Sequence, residues 1–374
     1  MTRPDLSTWL NPEYNHWSYL HVRELLPTGE VKPSATPRAL GTHLDEAIGN
    51  ITFNSNTGER VVADFLHTSR TDSLTVIKGD DVVFEWRTPD FAQDDIHLIF
   101  SVTKSVTSLL VGSLVKQGLI DVDAPTTRYV PDVANSAFGD TTVRNLLDMA
   151  ASFRFVEDYT PGEDVRDYRY SVGWYPAPWD APRLHEFIAT RVKEGEHGHH
   201  FRYLSPSTDL LGWVCEATSG MRYHEALSQF VWQPMGAQYA ANMTLDRDGS
   251  PRAAGGLSTA PRDMARLGML VRDGGMEAID AGFMSDIYEN GSHEQWALGD
   301  FAEVFENGIY RSCFYKPGVD RDVVMGIGIY GQMLYIDRPR GIVIAKQSSW
   351  ATPDEGVDHD DAYLMCQTIA RSLG

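Results

Sequence analysis

The sequence contains little cysteine, no excess of basic residues and no long apolar run. Its 374 residues include three cysteines, Cys215, Cys313 and Cys366, and carry 32 basic against 52 acidic side chains, for a net charge of -20. An odd number of widely spaced cysteines favours free thiols in a reducing compartment. Nucleic acid and anionic membranes bind basic surfaces, so neither is an expected partner.

The usual signals for membrane insertion and export are also missing. No run of about 18 apolar residues occurs, which argues against a transmembrane helix. The first residues are polar and aromatic instead of continuously apolar, so no signal peptide is predicted. We therefore expect a cytoplasmic protein, and its length and 42% hydrophobic content permit two lobes around a substantial core.

Two common catalytic patterns are absent as well. There is no Gly-x-Ser-x-Gly, which disfavours the α/β-hydrolase fold. His-Glu pairs begin at His185, His224 and His293, but none extends to His-Glu-x-x-His, the pattern of zinc proteases. The histidine-rich stretch 197–200 could ligate a metal, although a solvated loop explains it more simply. No metal and no cofactor are predicted.

What the sequence does contain is a serine and a lysine three residues apart, Ser101 and Lys104, at the start of an apolar segment. From Val102 the apolar positions recur at helical spacing until Gly118, which predicts a buried helix carrying both side chains on one face. A serine hydroxyl is a weak nucleophile, and a lysine shielded from water with a lowered pKa can activate it. The alternative is that Ser101 only caps the helix and Lys104 is a surface residue.

A possible third catalytic group, Tyr203, follows much later in the chain. It stands two residues before Ser205, and after Pro206 a second apolar helix is predicted, with Ser207 or Thr208 as its cap. A tyrosine hydroxyl beside a lysine can pass a proton between nucleophile and leaving group. By itself Tyr203 could equally be a packing residue.

Ser101-x-x-Lys104 followed by Tyr203-x-Ser205 resembles the serine hydrolases of the β-lactamase and penicillin-binding-protein superfamily. The chain is more closely similar to one family within it, the 6-aminohexanoate-dimer hydrolases, or nylon-oligomer enzymes. The similarity covers nearly the whole chain and includes residues 23–27, 157–159, 171–174, 291–294, 326–332 and 348–350. It implies that Ser101 is the nucleophile and that Lys104 and Tyr203 transfer protons.

The resemblance also implies the fold: an α/β protein with a β-lactamase-like antiparallel sheet flanked by helices and an inserted, mostly helical domain. Strand-like segments at 61–66, 74–77 and 82–86 precede Ser101, and others return near the C-terminus. Helical patterns occupy 143–149, 184–192, 209–217 and 223–230. The α/β lobe is therefore expected from residues 1–110 and 250–374, and the helical lobe from 111–249.

A glycine-containing strand is expected beside the nucleophile. Residues 325–336 read as strand and lead into a hairpin with 342–345. In β-lactamases the corresponding strand carries Lys-Thr-Gly; here Gly-Ile-Gly at 326–328 takes that place, and the resemblance puts the second oxyanion donor at the Ile329 amide, beside that of Ser101. The first glycine offers no charge to a penicillin carboxylate, so β-lactams should bind poorly. Otherwise the glycines would only bend an ordinary sheet.

The resemblance further suggests residues that contact the substrate. Tyr159 would hydrogen-bond near the scissile amide nitrogen, and Trp174 would cover the bound substrate. Residues 161–170 between them, rich in charge and turn formers, are expected to form a lid. Tyr330 is expected among the remaining substrate contacts.

Two positions depart from the family pattern. Asp167 is a candidate to hold the substrate's amino end, but the spacing is one residue short and Arg169 could fall at that place instead. A polar residue that assists in the family is replaced by Ala254. Both departures weaken the case for strong amidase activity on nylon oligomers, whereas ester hydrolysis would survive them more easily.

The sequence thus predicts a serine hydrolase that cleaves amide or ester bonds through an acyl-enzyme. A carboxylesterase for short acyl esters is the first alternative. A penicillin-recognising binding protein that acylates without turnover is the second. The expected partner is a small-molecule amide or ester, and the resemblance favours a homodimer.

Overall fold

The computed structural model describes residues 3–158, 163–318, 322–354 and 356–374. The helices in these parts of the chain are α1 Asn15–Leu20, α2 Val62–Thr68, α3 Val102–Lys116, α4 Val143–Leu147, α5 Glu163–Ser171, α6 Leu184–Ala189, α7 Ser205–Ser219, α8 Tyr223–Leu227, α9 Pro261–Arg272, α10 Ala281–Glu289, α11 His293–Ala297 and α12 Gly356–Leu373. The strands are β1 Thr28–Val31, β2 Gly41–Thr42, β3 Thr52–Ser55, β4 Gly58–Val61, β5 Thr71–Lys78, β6 Asp81–Arg87, β7 His97–Leu98, β8 Ala241–Thr244, β9 Leu257–Thr259, β10 Ile309–Arg311, β11 Phe314–Lys316, β12 Val323–Gly328, β13 Gln332–Asp337 and β14 Ile342–Ser348.

The main sheet draws its strands from both ends of the chain. Its order is β10-β11-β12-β13-β14-β5-β6-β2, and neighbours are antiparallel except β2, which runs parallel to β6. β2, β5 and β6 precede Ser101, whereas the other five strands follow the helical middle of the sequence. The predicted α/β architecture is therefore confirmed, while the lobe boundaries stay a prediction.

Helices cover both faces of this sheet, as β13 shows. Leu334 and Ile336 lie toward α9, where a Cβ on Gly268 would be 3.0 and 3.5 Å from their side chains. Tyr335 on the opposite face packs against Tyr363 of α12, with ring centroids 6.4 Å apart. Every residue of β12, β13 and β14 is buried. A strand covered on both faces is apolar with little alternation, which is why this hairpin could be predicted.

Several other predictions are confirmed at the level of single elements. The strands expected at 74–77 and 82–86 are β5 and β6, joined by a turn in which Gly79 has a φ of 61°. The apolar run after Ser101 is α3, and Gly118 follows its end with a φ of 70°. The four helical patterns of the middle correspond to α4, α6, α7 and α8, with ends displaced by a few residues.

Two local predictions are wrong. The segment 61–66 is not a strand but mostly helix α2, whose buried residues Val62, Phe65 and Leu66 follow helical spacing. The β-branched pair at its start favoured strand, and packing overrides that preference. Helix α7 begins at Ser205, before the predicted caps at 207 and 208, because a proline in the first turn sacrifices no hydrogen bond.

Among the described residues no helix combines the length and the apolar character needed to cross a bilayer.

Candidate active site

Ser101 lies at the N-terminus of α3, and its hydroxyl does not cap the helix. It occupies the N-cap position, yet its side chain makes no capping hydrogen bond. The Oγ instead accepts a hydrogen bond from Lys104 Nζ, at 2.9 Å. The interpretation of Ser101 as a simple cap is therefore wrong, and the contact expected from the three-residue spacing is present.

The residue before the serine, Phe100, has an unusual backbone conformation. Its φ is +43°, a left-handed value that costs roughly 1–3 kcal/mol in a residue with a side chain. The ring packs against those of Tyr19, Tyr330 and Trp174, with centroids 4.8, 5.1 and 5.9 Å away. This aromatic packing holds the turn that presents Ser101 at the start of α3.

Lys104 is a buried lysine, with 1% of its surface exposed. Its Nζ donates to Ser101 Oγ and to the carbonyl oxygen of Ala254, both at 2.9 Å, and lies 4.7 Å from the centre of the Tyr203 ring. Burial is the main cause that lowers its pKa to about 8, while the carboxylate of Glu157 opposes the shift. The alternative of a surface lysine is wrong, and a substantial neutral fraction exists at mildly alkaline pH.

Ala254 takes part in the site through its backbone. Its side chain is fully buried, its carbonyl binds Lys104, and its amide donates to Asp209 at 2.8 Å. Asp209 is itself buried and paired with Arg252 at 2.7 Å. Ala254 therefore positions Lys104 through its backbone, and a contact of this residue with substrate stays a prediction.

Tyr203 joins the other two groups at the site. Its ring stacks on that of Tyr315 with centroids 6.3 Å apart and lies 4.7 Å from Lys104 Nζ, which contacts Ser101 Oγ. Burial raises the pKa of Tyr203 well above its usual value, although the nearby hydroxyls of Ser101 and Tyr315 pull it down. The phenol thus keeps its proton near neutral pH, so it is suited to donate, whereas Lys104 is suited to accept.

Glu157 is a member of the site that sequence reasoning missed. Its carboxylate accepts hydrogen bonds from both the amide and the hydroxyl of Ser205. Its negative charge raises the pKa values of Lys104 and Tyr203. The residue occurred in a family-like run, 157–159, but an acidic side chain in a loop carries no sign of which distant serine it will bind.

A cavity of about 50 Å³ lies beside the nucleophile. Its aromatic walls are Phe100, Tyr168, Trp174 and Tyr330, and its charged lining groups are Glu157, Arg169 and Arg252. Ile329 also lines it, whereas the Ser101 side chain stands next to the cavity and not within its lining. Such a largely apolar space with a few charged groups suits the non-reacting part of a small substrate.

Trp174 is fixed as one wall of this cavity. Its Nε1 donates to Thr244 Oγ1 at 3.2 Å. Its ring meets Trp9 edge-on, with centroids 5.3 Å apart, and the Arg252 guanidinium lies 5.4 Å from the ring centre. Trp174 is therefore a fixed wall of the cavity, and its role in covering a substrate stays a prediction.

Strand β12 brings Ile329 and Tyr330 to the nucleophile. A Cβ on Gly328 would lie 3.1 Å from the Ser101 amide nitrogen, and one on Gly326 would lie 3.0 Å from Ser105 Oγ of α3. The glycines thus permit a close approach of strand to helix, which the bent-sheet alternative does not explain. Ile329 directly follows this point of closest approach, and Tyr330 turns the chain with a φ of +60°.

The predicted lid residues have different outcomes. Asp167 is half exposed, pairs with Arg166 at 3.2 Å and does not line the cavity. Arg169, the alternative at that place, does line it. From Glu163 onward the predicted lid segment is helix α5, and its action as a lid stays a prediction, while Tyr159 lies outside the described residues.

The histidine-rich stretch has structural contacts. His197 Nδ1 accepts from the Ser152 amide at 2.9 Å, and its Nε2 lies 3.1 Å from Asp140 Oδ1. Within the described ranges, no group of His, Cys, Asp and Glu side chains has the geometry to hold a metal ion.

Comparison with known proteins agrees with this architecture. A model of the beta-lactamase family matches residues 59–367. The chain belongs to the beta-lactamase family. It is 35% identical to the 6-aminohexanoate-dimer hydrolase of Paenarthrobacter ureafaciens over 359 residues, which cover 94% of this chain and 89% of that protein. It is thus a β-lactamase-fold hydrolase that resembles 6-aminohexanoate-dimer hydrolase.

Solved structures show the same fold. A Bacillus anthracis protein assigned as a 6-aminohexanoate-dimer hydrolase superposes with a TM-score of 0.89 at 24% identity, covering 100% of this chain and 99% of its own. A family VIII carboxylesterase gives a TM-score of 0.57 at 15% identity, over 81% of this chain and 95% of its own. These likenesses confirm the predicted β-lactamase-like fold.

Proposed function

We propose that the protein cleaves small amide or ester substrates through an acyl-enzyme formed at Ser101. The observation that carries the proposal is the buried contact between Lys104 Nζ and Ser101 Oγ at 2.9 Å, with a lysine pKa lowered to about 8. A lysine in this state is a base at mildly alkaline pH, and it contacts the hydroxyl oxygen that must lose its proton during acylation.

Acylation begins when Ser101 Oγ attacks the substrate carbonyl. The hydroxyl proton passes to neutral Lys104 as the new C–O bond forms. The carbonyl oxygen gains negative charge and is stabilised by the amides of Ser101 and Ile329, in the manner of an oxyanion hole. Tyr203 then donates its proton to the leaving nitrogen or oxygen while the scissile bond breaks, and Lys104 returns the serine proton to Tyr203.

Deacylation uses the same groups with their proton-transfer roles reversed. A water molecule attacks the acyl carbonyl and gives its proton to the base, and Ser101 Oγ leaves and is reprotonated. The products are a carboxylic acid and an amine or alcohol. Every proton is handled by side chains of this protein, so the reaction needs no added cofactor.

Amide and ester substrates are both compatible with this chemistry. The 35% identity to a 6-aminohexanoate-dimer hydrolase supports linear amides. The second candidate, a carboxylesterase for short acyl esters, is favoured by the small cavity and by the absence of a polar side chain at Ala254. An alkoxide leaves more readily than an amine, so esters demand less help at the leaving group.

We also retain two expectations about the protein in its cell. All three cysteines are buried free thiols, which supports a reducing compartment such as the cytoplasm. The family resemblance supports a homodimer.

A panel of four substrates tests the proposal. We expect many turnovers of p-nitrophenyl acetate, slower hydrolysis of the linear 6-aminohexanoate dimer, and none of nitrocefin, since Gly326 brings no cation to a β-lactam carboxylate. A D-amino-acid amide serves as an unrelated amide. One equivalent of product followed by a stop would instead identify a binding protein, and ester turnover without any amide turnover would favour the carboxylesterase.

The pH dependence of activity should follow Lys104. Because the lysine must be neutral to accept the serine proton, and its pKa is about 8, kcat/KM should rise about tenfold per pH unit below that pH and level off above it. The measurement is p-nitrophenyl acetate hydrolysis corrected for the uncatalysed rate at each pH. A profile that is flat across this range, or that rises near the ordinary histidine pKa of about 6.5, would show that another group is the base.

A further inference from the structure

The first part of the chain supplies one wall of the cavity beside Ser101. Leu10 lines this cavity, although it lies far from the nucleophile in the sequence. Leu10 is partly exposed, whereas Phe100 and Trp174 on the other walls are buried. The cavity therefore extends from buried aromatic walls near the nucleophile to a leucine that borders solvent.

The neighbouring residue, Trp9, fixes this leucine in place. Trp9 is fully buried, and its Nε1 donates to the carbonyl oxygen of Trp174 at 3.0 Å. The two indole rings meet edge-on, with centroids 5.3 Å apart. The amide of Trp9 also donates to the carbonyl oxygen of Asp5 at 2.9 Å, which closes a turn. Because Trp9 is bound to another wall of the cavity, Leu10 has a defined position on its own wall.

A second set of contacts holds the chain just after Leu10. Arg70 Nη2 donates to the carbonyl oxygen of Pro12 and to Asn15 Oδ1, both at 2.9 Å. Asn15 is itself fully buried. The stretch that carries Leu10 is thus anchored on both sides, so the leucine is a built part of the cavity wall.

The position of Tyr203 indicates which part of a substrate enters this cavity. In the proposed mechanism Tyr203 protonates the leaving group, so the leaving group must lie beside that phenol. Tyr203 packs against Tyr315 and Phe301, with ring centroids 6.3 and 5.3 Å away. None of these three rings lines the cavity. The cavity is therefore left for the acyl portion of the substrate.

We propose that Leu10 determines acyl-chain specificity by closing the cavity to acyl groups longer than a few carbons. This inference rests on the proposed hydrolase function and names its substrate class, which is esters or amides of short apolar acids. Each methylene that a binding site accommodates contributes roughly fourfold to kcat/KM. A chain too long to pass Leu10 loses this contribution.

The p-nitrophenyl esters of acetate, butyrate, hexanoate and octanoate test the inference, because they share a leaving group and differ only in acyl length. Wild type should favour acetate and butyrate. Leu10→Ala removes three carbon atoms from the wall, so the ratio of kcat/KM for hexanoate to that for acetate should rise at least about tenfold over the wild-type ratio. Comparing ratios cancels the intrinsic reactivity of each ester. Leu10→Phe should act in the opposite direction and disfavour butyrate relative to acetate.

Leu6 provides the matched control. Like Leu10, it is a partly buried leucine of the same segment that packs on the core, but it does not line the cavity. Leu6→Ala should therefore leave the acyl-length profile unchanged. Thermal melting checks the folding of each variant. If Leu10→Ala does not fold, Leu10→Val, a smaller truncation, should show the same shift to a lesser degree.

The outcomes separate the inference from the function on which it rests. If no ester is hydrolysed, the proposed function fails and the inference fails with it. If esters are hydrolysed and the profile is the same in wild type and Leu10→Ala, the function stands and the inference is overturned. An equal shift in Leu6→Ala, or a wild type that cleaves octanoate as well as acetate, would also overturn it.

A second ester series checks the assignment to the acyl portion. It consists of acetate esters of straight-chain alcohols of increasing length, so the acyl group is constant and the leaving group varies. We expect Leu10→Ala to leave the order of preference within this series unchanged. If the variant shifts the preference here and not in the acyl series, the cavity holds the leaving group and the inference is wrong.

Discussion

Alanine in place of Ser101 should lower p-nitrophenyl acetate turnover by roughly 10⁴- to 10⁶-fold, the range seen when a serine nucleophile is removed. The hydroxyl oxygen is the atom that Lys104 contacts at 2.9 Å, and no neighbouring hydroxyl has that contact among the described residues. The remaining rate should come from the oxyanion donors and from binding alone. The measurement is kcat/KM against the uncatalysed rate, together with thermal melting of the variant.

Ser108 of the same helix provides a matched control. It is fully buried, and its Oγ has no hydrogen-bond partner among the described residues. Ser108→Ala therefore removes a buried serine hydroxyl from α3 without breaking a contact, and it should keep nearly wild-type activity. Retention of more than about a tenth of the activity in Ser101→Ala, against the losses normal for a nucleophile, would place the nucleophile elsewhere.

The Ser101–Lys104 contact could be predicted because it is local. Both residues lie within one helical turn, and the apolar spacing after Val102 fixes the helix that carries them. Tyr203 could not be derived in this way. Its contact with Lys104 joins distant parts of the chain, so only the resemblance to a known family suggested its catalytic role.

Main-chain contacts explain much of what the sequence could not show. Ala254 holds Lys104 through its carbonyl and Asp209 through its amide, and neither bond depends on the alanine side chain. Sequence analysis considers side chains, so it noted Ala254 only because a polar side chain is missing there. Glu157 was missed for a related reason, because its partner Ser205 is reached only through the tertiary fold.

The sheet was easier to predict than its surroundings. β12, β13 and β14 are buried on both faces, so their sequences are mostly apolar, with the polar residues at the strand ends. Helix α2 was mistaken for a strand because its short amphipathic pattern begins with two valines. Helix α5 was not predicted as a helix because charged residues dominate it, while Val165, Tyr168 and Ser171 are buried.

Methionine in place of Lys104 should lower activity about as much as Ser101→Ala, because groups that act as one catalytic unit are not additive. Methionine keeps most of the side-chain volume at this buried position and removes only the amine. The double variant Ser101→Ala, Lys104→Met should then be no slower than either single variant. The measurement is kcat/KM with p-nitrophenyl acetate at a pH above 8, where wild-type Lys104 is mostly neutral.

Arginine at the same position distinguishes a base from a fixed positive charge. Arginine stays protonated in proteins at any working pH, so Lys104→Arg retains a cation beside Ser101 but cannot accept its proton. If Lys104 is the base, this variant should remain inactive, and raising the pH should not restore it. Substantial activity in the arginine variant would mean that Lys104 acts by stabilising charge, and Tyr203 would then be the group left to deprotonate Ser101.

A variant that fails to melt cooperatively would be replaced by Lys104→Met, for which the expected folding effect has a definite sign. Burial lowers the lysine pKa below its unfolded value of about 10.4, so the lysine costs stability below pH 8, and this cost fades as the pH rises toward the unfolded value. Relative to wild type, Lys104→Met should therefore be at its most stable near neutral pH and lose that advantage in alkaline solution, whatever happens to catalysis.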